Sequence, residues 1–120
     1  MLLGSFYNII DSGREGQTFH VKVTFDAAHP IFKGHFPDLP VVPGVCQTQM
    51  LVETLTHLLG RPLEIKHAQH IKFLALLNPV KHRELEMEIN IEKEEGENIF
   101  VHASYTNNGE IFFRFKGDLH

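Results

Sequence analysis

From Thr18 to Phe25 apolar and polar residues alternate, with Phe19, Val21, Val23 and Phe25 separated by single positions. A repeat of two is that of a strand with one face in a core and the other in water. The same period runs through Leu85, Met87, Ile89 and Ile91, interleaved with Glu84, Glu86, Glu88, Asn90 and Glu92. Glu94-Glu95-Gly96-Glu97-Asn98 reads as a turn. Ile99 to Thr106 and Glu110 to Phe115 are then predicted strands joined at Asn107-Asn108-Gly109. An apolar piece from Phe6 to Ile10, bounded by Asp11-Ser12-Gly13, and a stretch from Ile65 to Leu74 complete the predicted strands.

The middle of the chain follows another rule. Between Pro43-Gly44 and Gly60-Arg61-Pro62, Val45 to Leu59 contains no Gly or Pro, and Gly followed closely by Pro is a helix stop. Apolar residues (Val45, Met50, Leu51, Val52, Leu55, Leu58, Leu59) lie nearly all round this segment, which predicts a buried helix. Strands, one helix, then antiparallel strands give an α+β class, with a sheet wrapped round a single helix.

Composition narrows the class. The 120 residues fit one domain, 1–120, and 42% hydrophobic content supports a core. In a chain this short oligomerisation is a natural source of further burial. Acidic residues outnumber basic ones by 15 to 11, for a formal charge of −4, which argues against nucleic acid as a partner. Cys46 is the only cysteine, so no internal disulfide forms. The start, Met1-Leu-Leu-Gly-Ser-Phe-Tyr, reads as neither signal peptide nor membrane span, and the expectation is a soluble, cytoplasmic protein.

The chemistry concentrates between His29 and Met50. Pro30, Pro37, Pro40 and Pro43, with Gly34 and Gly44, make a stiff, irregular approach to the helix. Such a segment can hold His35, a candidate base, near the helix N-terminus. There the unpaired amides from Gly44 onward can polarise a carbonyl oxygen. A base beside an oxyanion-binding helix end suits proton abstraction α to a thioester carbonyl, although any Pro-Gly helix start shares part of this pattern.

Phe32-Lys-Gly-His-Phe-Pro-Asp-Leu-Pro-Val-Val-Pro-Gly-Val resembles the signature of FabZ/FabA-type β-hydroxyacyl-ACP dehydratases, and Ile71-Lys-Phe-Leu-Ala with Asn78-Pro79 resembles their strand and loop after the helix. The resemblance implies a single hot-dog domain: a curved antiparallel sheet wrapped around one long central helix, in a dimer with an acyl tunnel at its interface. It implies His35 as the catalytic histidine, the Gly44–Val45 backbone as the carbonyl-binding element, and Pro43 and Phe36 among the substrate-binding residues. The reaction implied is dehydration of a 3-hydroxyacyl thioester to the trans-2-enoyl thioester, in fatty-acid or related polyene synthesis. Acyl carrier protein or coenzyme A would present the substrate to a homodimer or an oligomer of dimers, and no cofactor is required.

One position departs from the pattern. The family's helix carries Glu or Asp fourteen residues after the histidine, acting across the dimer interface on the β-hydroxyl, and here that position is Gln49. An amide cannot supply a proton to a departing hydroxyl. Glu53 lies one turn further along the same helix face and is the expected source of the missing carboxylate; a structural hydrogen bond is its competing role. Two other readings stay open: a hot-dog thioesterase, or a catalytically impaired subunit that binds acyl thioesters beside an active relative.

The remaining candidates are weaker. Cys46, in the first helical turn, is either an activated thiol or a small buried hydrophobe. His67 and His70 are three apart on a predicted strand, hence on opposite faces, and no metal site is expected. Lys81-His82-Arg83, with Lys33, Lys66 and Lys72, either steers an acidic carrier protein or is simply solvated.

Overall fold

A computed structural model describes residues 1–34 and 39–120. Six strands, β1 (Tyr7–Glu15), β2 (Thr18–Phe25), β3 (Ile65–Phe73), β4 (Glu84–Glu95), β5 (Asn98–Asn107) and β6 (Glu110–Leu119), form one antiparallel sheet in the order β1-β2-β4-β5-β6-β3. Two helices, α1 (Pro30–Gly34) and α2 (Gly44–Leu59), lie between β2 and β3. The class is therefore α+β, as the pattern predicts.

The alternating runs become the inner face of the sheet. Phe19, Val21, Val23 and Phe25 of β2 and Leu85, Met87, Ile89 and Ile91 of β4 are buried in one cluster with Val101, Tyr105, Phe113 and Phe115. Met50, Leu51 and Leu55 of α2 close that cluster. The helix is fastened to the sheet by the Tyr105 hydroxyl, which donates to the Gln47 carbonyl at 2.7 Å. It ends at Gly60, whose φ of 70° and N–H bond to the Thr56 carbonyl terminate the last turn.

Several sequence expectations shift. β1 runs through Asp11-Ser12-Gly13, expected as its boundary. An edge strand whose far half overhangs the core needs no apolar residues to keep pairing with β2, and a bulge between Ile9 and Asp11 absorbs the change. β5 and β6 also outrun their predicted limits: beyond Phe115, Gly117 and Asp118 interrupt the apolar alternation, yet the ladder continues to Leu119, which is buried in the core. The helix expected to be buried all round and alone is neither. α1 adds five residues, and along the sixteen-residue α2 Val45 is 78% exposed and Gln49 is also exposed.

β3 follows α2 in sequence yet pairs with β6 at the edge opposite β1, so α1, α2 and their connections carry the chain across the inner face. The Val42 N–H donates to the Leu77 carbonyl at 2.8 Å, which pins the start of α2 beside the segment after β3. β3 meets β6 with two bulges, and at Gly117 the approach is so close that an added Cβ would run into the His67 carbonyl oxygen.

Gly117→Ala therefore forces backbone, not a flexible side chain, to move. The expected loss is about 1–3 kcal/mol in chemical denaturation, with unchanged stability contradicting this β3–β6 register.

Candidate active site

The start of α2 is open. Pro43 occupies the N-cap position with φ −60° and ψ 147°, and among the described residues no side chain caps the first turn. Pro fits there because it has no N–H to lose. The amides of Gly44 and Val45 are among the donors an α-helix leaves without an internal partner. Gly44 carries no Cβ, and one placed there would come within 2.9 Å of the Phe73 ring, which rests against the helix start from the end of β3. Phe73 continues inward as an aromatic row, 5.7 Å from Phe113, which stacks on Tyr105 at 4.3 Å.

Along the exposed side of α2 runs a groove of about 370 Å³, lined by Val45, Thr48, Gln49, Val52, Glu64 and Ile65. It brings Val45 and Gln49 together, as the helical spacing required. Glu64 is a carboxylate that sequence reasoning missed. It stands beyond the helix stop, and only the turn at Gly60 returns it to α2. Hollows of similar size on the outer face of the sheet, one lined by Asp11, His20, Lys22 and Glu86, include no residue of α2.

Glu53 does not line this groove. Its side chain is buried, 4% exposed, where α2 meets the N-terminal segment and β1. Leu2 N–H donates to both carboxylate oxygens at 3.1 and 3.0 Å, Leu3 N–H to Oε1 at 2.7 Å and Gln49 Nε2 to Oε2 at 3.0 Å. The Tyr7 hydroxyl lies 3.3 Å from Oε1. Burial alone would push the carboxyl up, but the bonds from Leu2, Gln49, Leu3 and Tyr7 together hold it below the usual carboxylate range. Glu53 is thus suited to be an ionised acceptor. The expected proton source on this helix is instead satisfied by its own chain, because a carboxylate out of water gathers donors.

Burial and the charge of Glu53 push the Cys46 thiol up, which disfavours the thiolate despite its place in the first helical turn. Tyr7 is raised by burial and by Glu53, outweighing its bond with Thr54, and stays a protonated donor. His35 and Phe36 lie outside the described residues. His82 is buried, 4.6 Å from the Phe112 ring, and its Nδ1 accepts the Asn78 N–H, so it belongs to the loop and not to a basic surface. His67 and His70 pair with Asp118 and Lys116, two apart on β6. The bulge between Ala68 and His70 therefore turns them to one face, against the expectation of opposite faces. Among the described residues no cluster of His, Cys, Asp and Glu could hold a metal ion, and no helix is long and apolar enough to cross a membrane.

A pH dependence follows from Glu53. Its lowered folded-state pKa contributes stability that is complete above the usual value of 4.5 and is lost as pH falls through the folded value beneath it. Denaturation of the wild type and Glu53→Gln between pH 6 and 3 should show the wild type ahead at pH 6 and the gap shrinking below about 4.5. A constant gap would mean that the charge of Glu53 plays no part.

Comparison with known proteins places this geometry. No curated protein is significantly similar in sequence. Among solved structures, a chain of the ApeI:P dehydratase heterocomplex from Xenorhabdus doucetiae superposes with a TM-score of 0.76 at 22% identity, over 92% of this chain and 95% of that one. The PaaI protein from the phenylacetic acid degradation operon of E. coli gives 0.67 at 13% identity, over 95% and 78%. An uncharacterized protein from Erwinia carotovora subsp. atroseptica gives 0.61 at 20%, over 93% and 91%. At these identities the likeness is one of fold, the hot-dog fold. The ApeI-like family profile, described as ApeI dehydratase, matches residues 11–112, from the middle of β1 into β6. By that match, which takes in the Pro-rich segment, α2 and the groove beside it, the chain belongs to the ApeI-like dehydratase family.

Proposed function

We propose that the chain dehydrates 3-hydroxyacyl thioesters to trans-2-enoyl thioesters, in fatty-acid or related polyene synthesis, with the acyl group presented by acyl carrier protein or coenzyme A. The observation that carries this reading is the uncapped start of α2 opening beside a groove lined by Val45 and Gln49. The Gly44 and Val45 amides take the thioester carbonyl, stabilising the negative charge that develops when the α proton leaves. His35 is the base that removes this proton, with Phe36 and Pro43 beside the acyl group; these roles rest on the Gly-His-Phe-Pro motif.

The bond changes are simple. C2–H breaks, its electron pair forms the C2=C3 bond, and the C3–O bond breaks, so proton and hydroxide leave as water. Gln49 addresses the hydroxyl. It holds no ionisable proton, and Glu53 is stabilised as an anion, so the proton for the leaving group comes from the His35 imidazolium or from solvent.

A second copy of the chain closes the groove. Val45, Phe73, Leu74, Leu76 and Val80 expose apolar side chains at the helix start and along the segment after β3. Exposed apolar residues in this number favour a partner surface over open solvent. The lack of an acid at position 49 supports a second reading, an impaired acyl-thioester-binding subunit working beside a catalytic relative.

Hydration of crotonyl thioesters on carrier protein and on coenzyme A, by the wild type and His35→Ala, tests the leading reading: turnover is expected and should vanish without His35. No turnover from a folded wild type shifts the weight to the binding subunit, and release of free thiol shifts it to a thioesterase. Gln49→Glu should raise the dehydration rate about tenfold or more, because a carboxyl beside the ionised Glu53 retains its proton more readily and general acid catalysis is worth about 10²–10⁴. An unchanged rate would mean that the hydroxyl is not handled at position 49.

A further inference from the structure

Gln49 and Glu53 are joined, and the join has a direction. Gln49 Nε2 lies 3.0 Å from Glu53 Oε2. Facing an anionic carboxylate, a side-chain amide can present only its N–H end, since its carbonyl would meet a second acceptor. Glu53 cannot turn to suit Gln49. Its Oε1 receives Leu3 N–H at 2.7 Å and lies within reach of Tyr7, and Leu2 N–H spans both oxygens. The chain of constraint therefore begins at two backbone amides, passes through a buried carboxylate and ends on an exposed amide in the groove. A glutamine on an exposed helix face without such a partner would sample several rotamers and offer either end of its amide.

We infer that Glu53 is a positioning residue that directs the Gln49 carbonyl oxygen into the groove, where it accepts a hydrogen bond from the 3-hydroxyl of the bound acyl group. This rests on the groove being the acyl-thioester site. The hydroxyl is then recognised as a donor, and the site selects hydroxyacyl groups over acyl groups that lack it. Glu53→Gln has a specific consequence. The new side chain keeps its oxygen toward Leu3, which puts its Nε2 where Oε2 stood. Gln49 then faces an N–H group, turns its carbonyl inward to accept from it, and offers the groove a donor in place of an acceptor.

The test is equilibrium binding of 3-hydroxybutyryl and butyryl pantetheine amides, whose α protons are too weakly acidic for turnover. Wild type, Glu53→Gln, Gln49→Met and the double variant are compared. The wild type should prefer the hydroxylated ligand about tenfold, the scale of one hydrogen bond. Each single variant should lose that preference and the double variant should lose no more, with butyryl affinity steady throughout; a merely structural Glu53 would lower both affinities alike. If Glu53→Gln does not fold, Glu53→Asp shortens the arm and should lose the preference as well. Preference retained in a folded Glu53 variant or in Gln49→Met overturns the inference, as does equal binding of both ligands by the wild type. A folded wild type that binds neither ligand instead overturns the thioester site itself.

Discussion

A carboxylate taken out of water has to be surrounded by donors, and much of the local structure around Glu53 is a response to that requirement. Leu2 and Leu3 give their amides, Tyr7 its hydroxyl and Gln49 its side-chain nitrogen. These groups come from the N-terminal segment, from β1 and from the preceding turn of α2. One buried charge thus fixes the N-terminal segment to the helix, and it adds to the contacts that the Tyr7 hydroxyl of the edge strand makes with the Met50 carbonyl and the Thr54 hydroxyl. The conformation of an exposed residue in the groove is one result.

The second organising constraint is topological. β2 and β4 are neighbours in the sheet but are separated in sequence by α1, α2 and β3, so the chain must cross the inner face and return. The crossing sets the start of α2 against Phe73 and the segment after β3, and the Phe73–Phe113–Tyr105 row supports it from beneath. The Tyr105 hydroxyl then ties the first turn of α2 to the floor of the core. The helix end proposed to bind a carbonyl is therefore held by packed aromatic rings and a buried hydrogen bond, which keeps a polarising dipole at a constant distance from whatever it binds.

Together these constraints change the chemistry expected of the helix face. A carboxylate at position 49 would stand in the groove and be free to exchange protons. One turn later, at 53, it is enclosed by its own chain and stabilised as an anion. In the proposed reading, moving an acid by four residues turns a proton donor into an orienting group. In the proposed mechanism, the groove keeps a hydrogen-bonding amide where a proton source would otherwise sit. Glu64, brought alongside by the turn at Gly60, is the carboxylate that lines the groove.

Much of this was legible in the chain itself. Period-two alternation located β2 and β4, because a sheet with one face in a core imposes that period on any sequence. Gly60 with Pro62 located the end of α2, and the Phe32–Val45 motif pointed to a hot-dog dehydratase. The overhanging half of β1 escaped, since backbone pairing continues where side-chain patterning has nothing left to bury, and the end of β6 escaped because Gly117 and Asp118 interrupt the alternation before the buried Leu119. So did the common face of His67 and His70, which a bulge decides and no spacing rule records. The side of α2 left open could not be read either, because apolar residues lie all round the helix and only the crossover selects which of them meet the sheet. Sequence determined that Gln49 and Glu53 share a helix face. Only the tertiary structure decided that one meets the groove and the other the core, because the Leu2 and Leu3 amides that capture Glu53 lie some fifty residues away and reach it only through the fold.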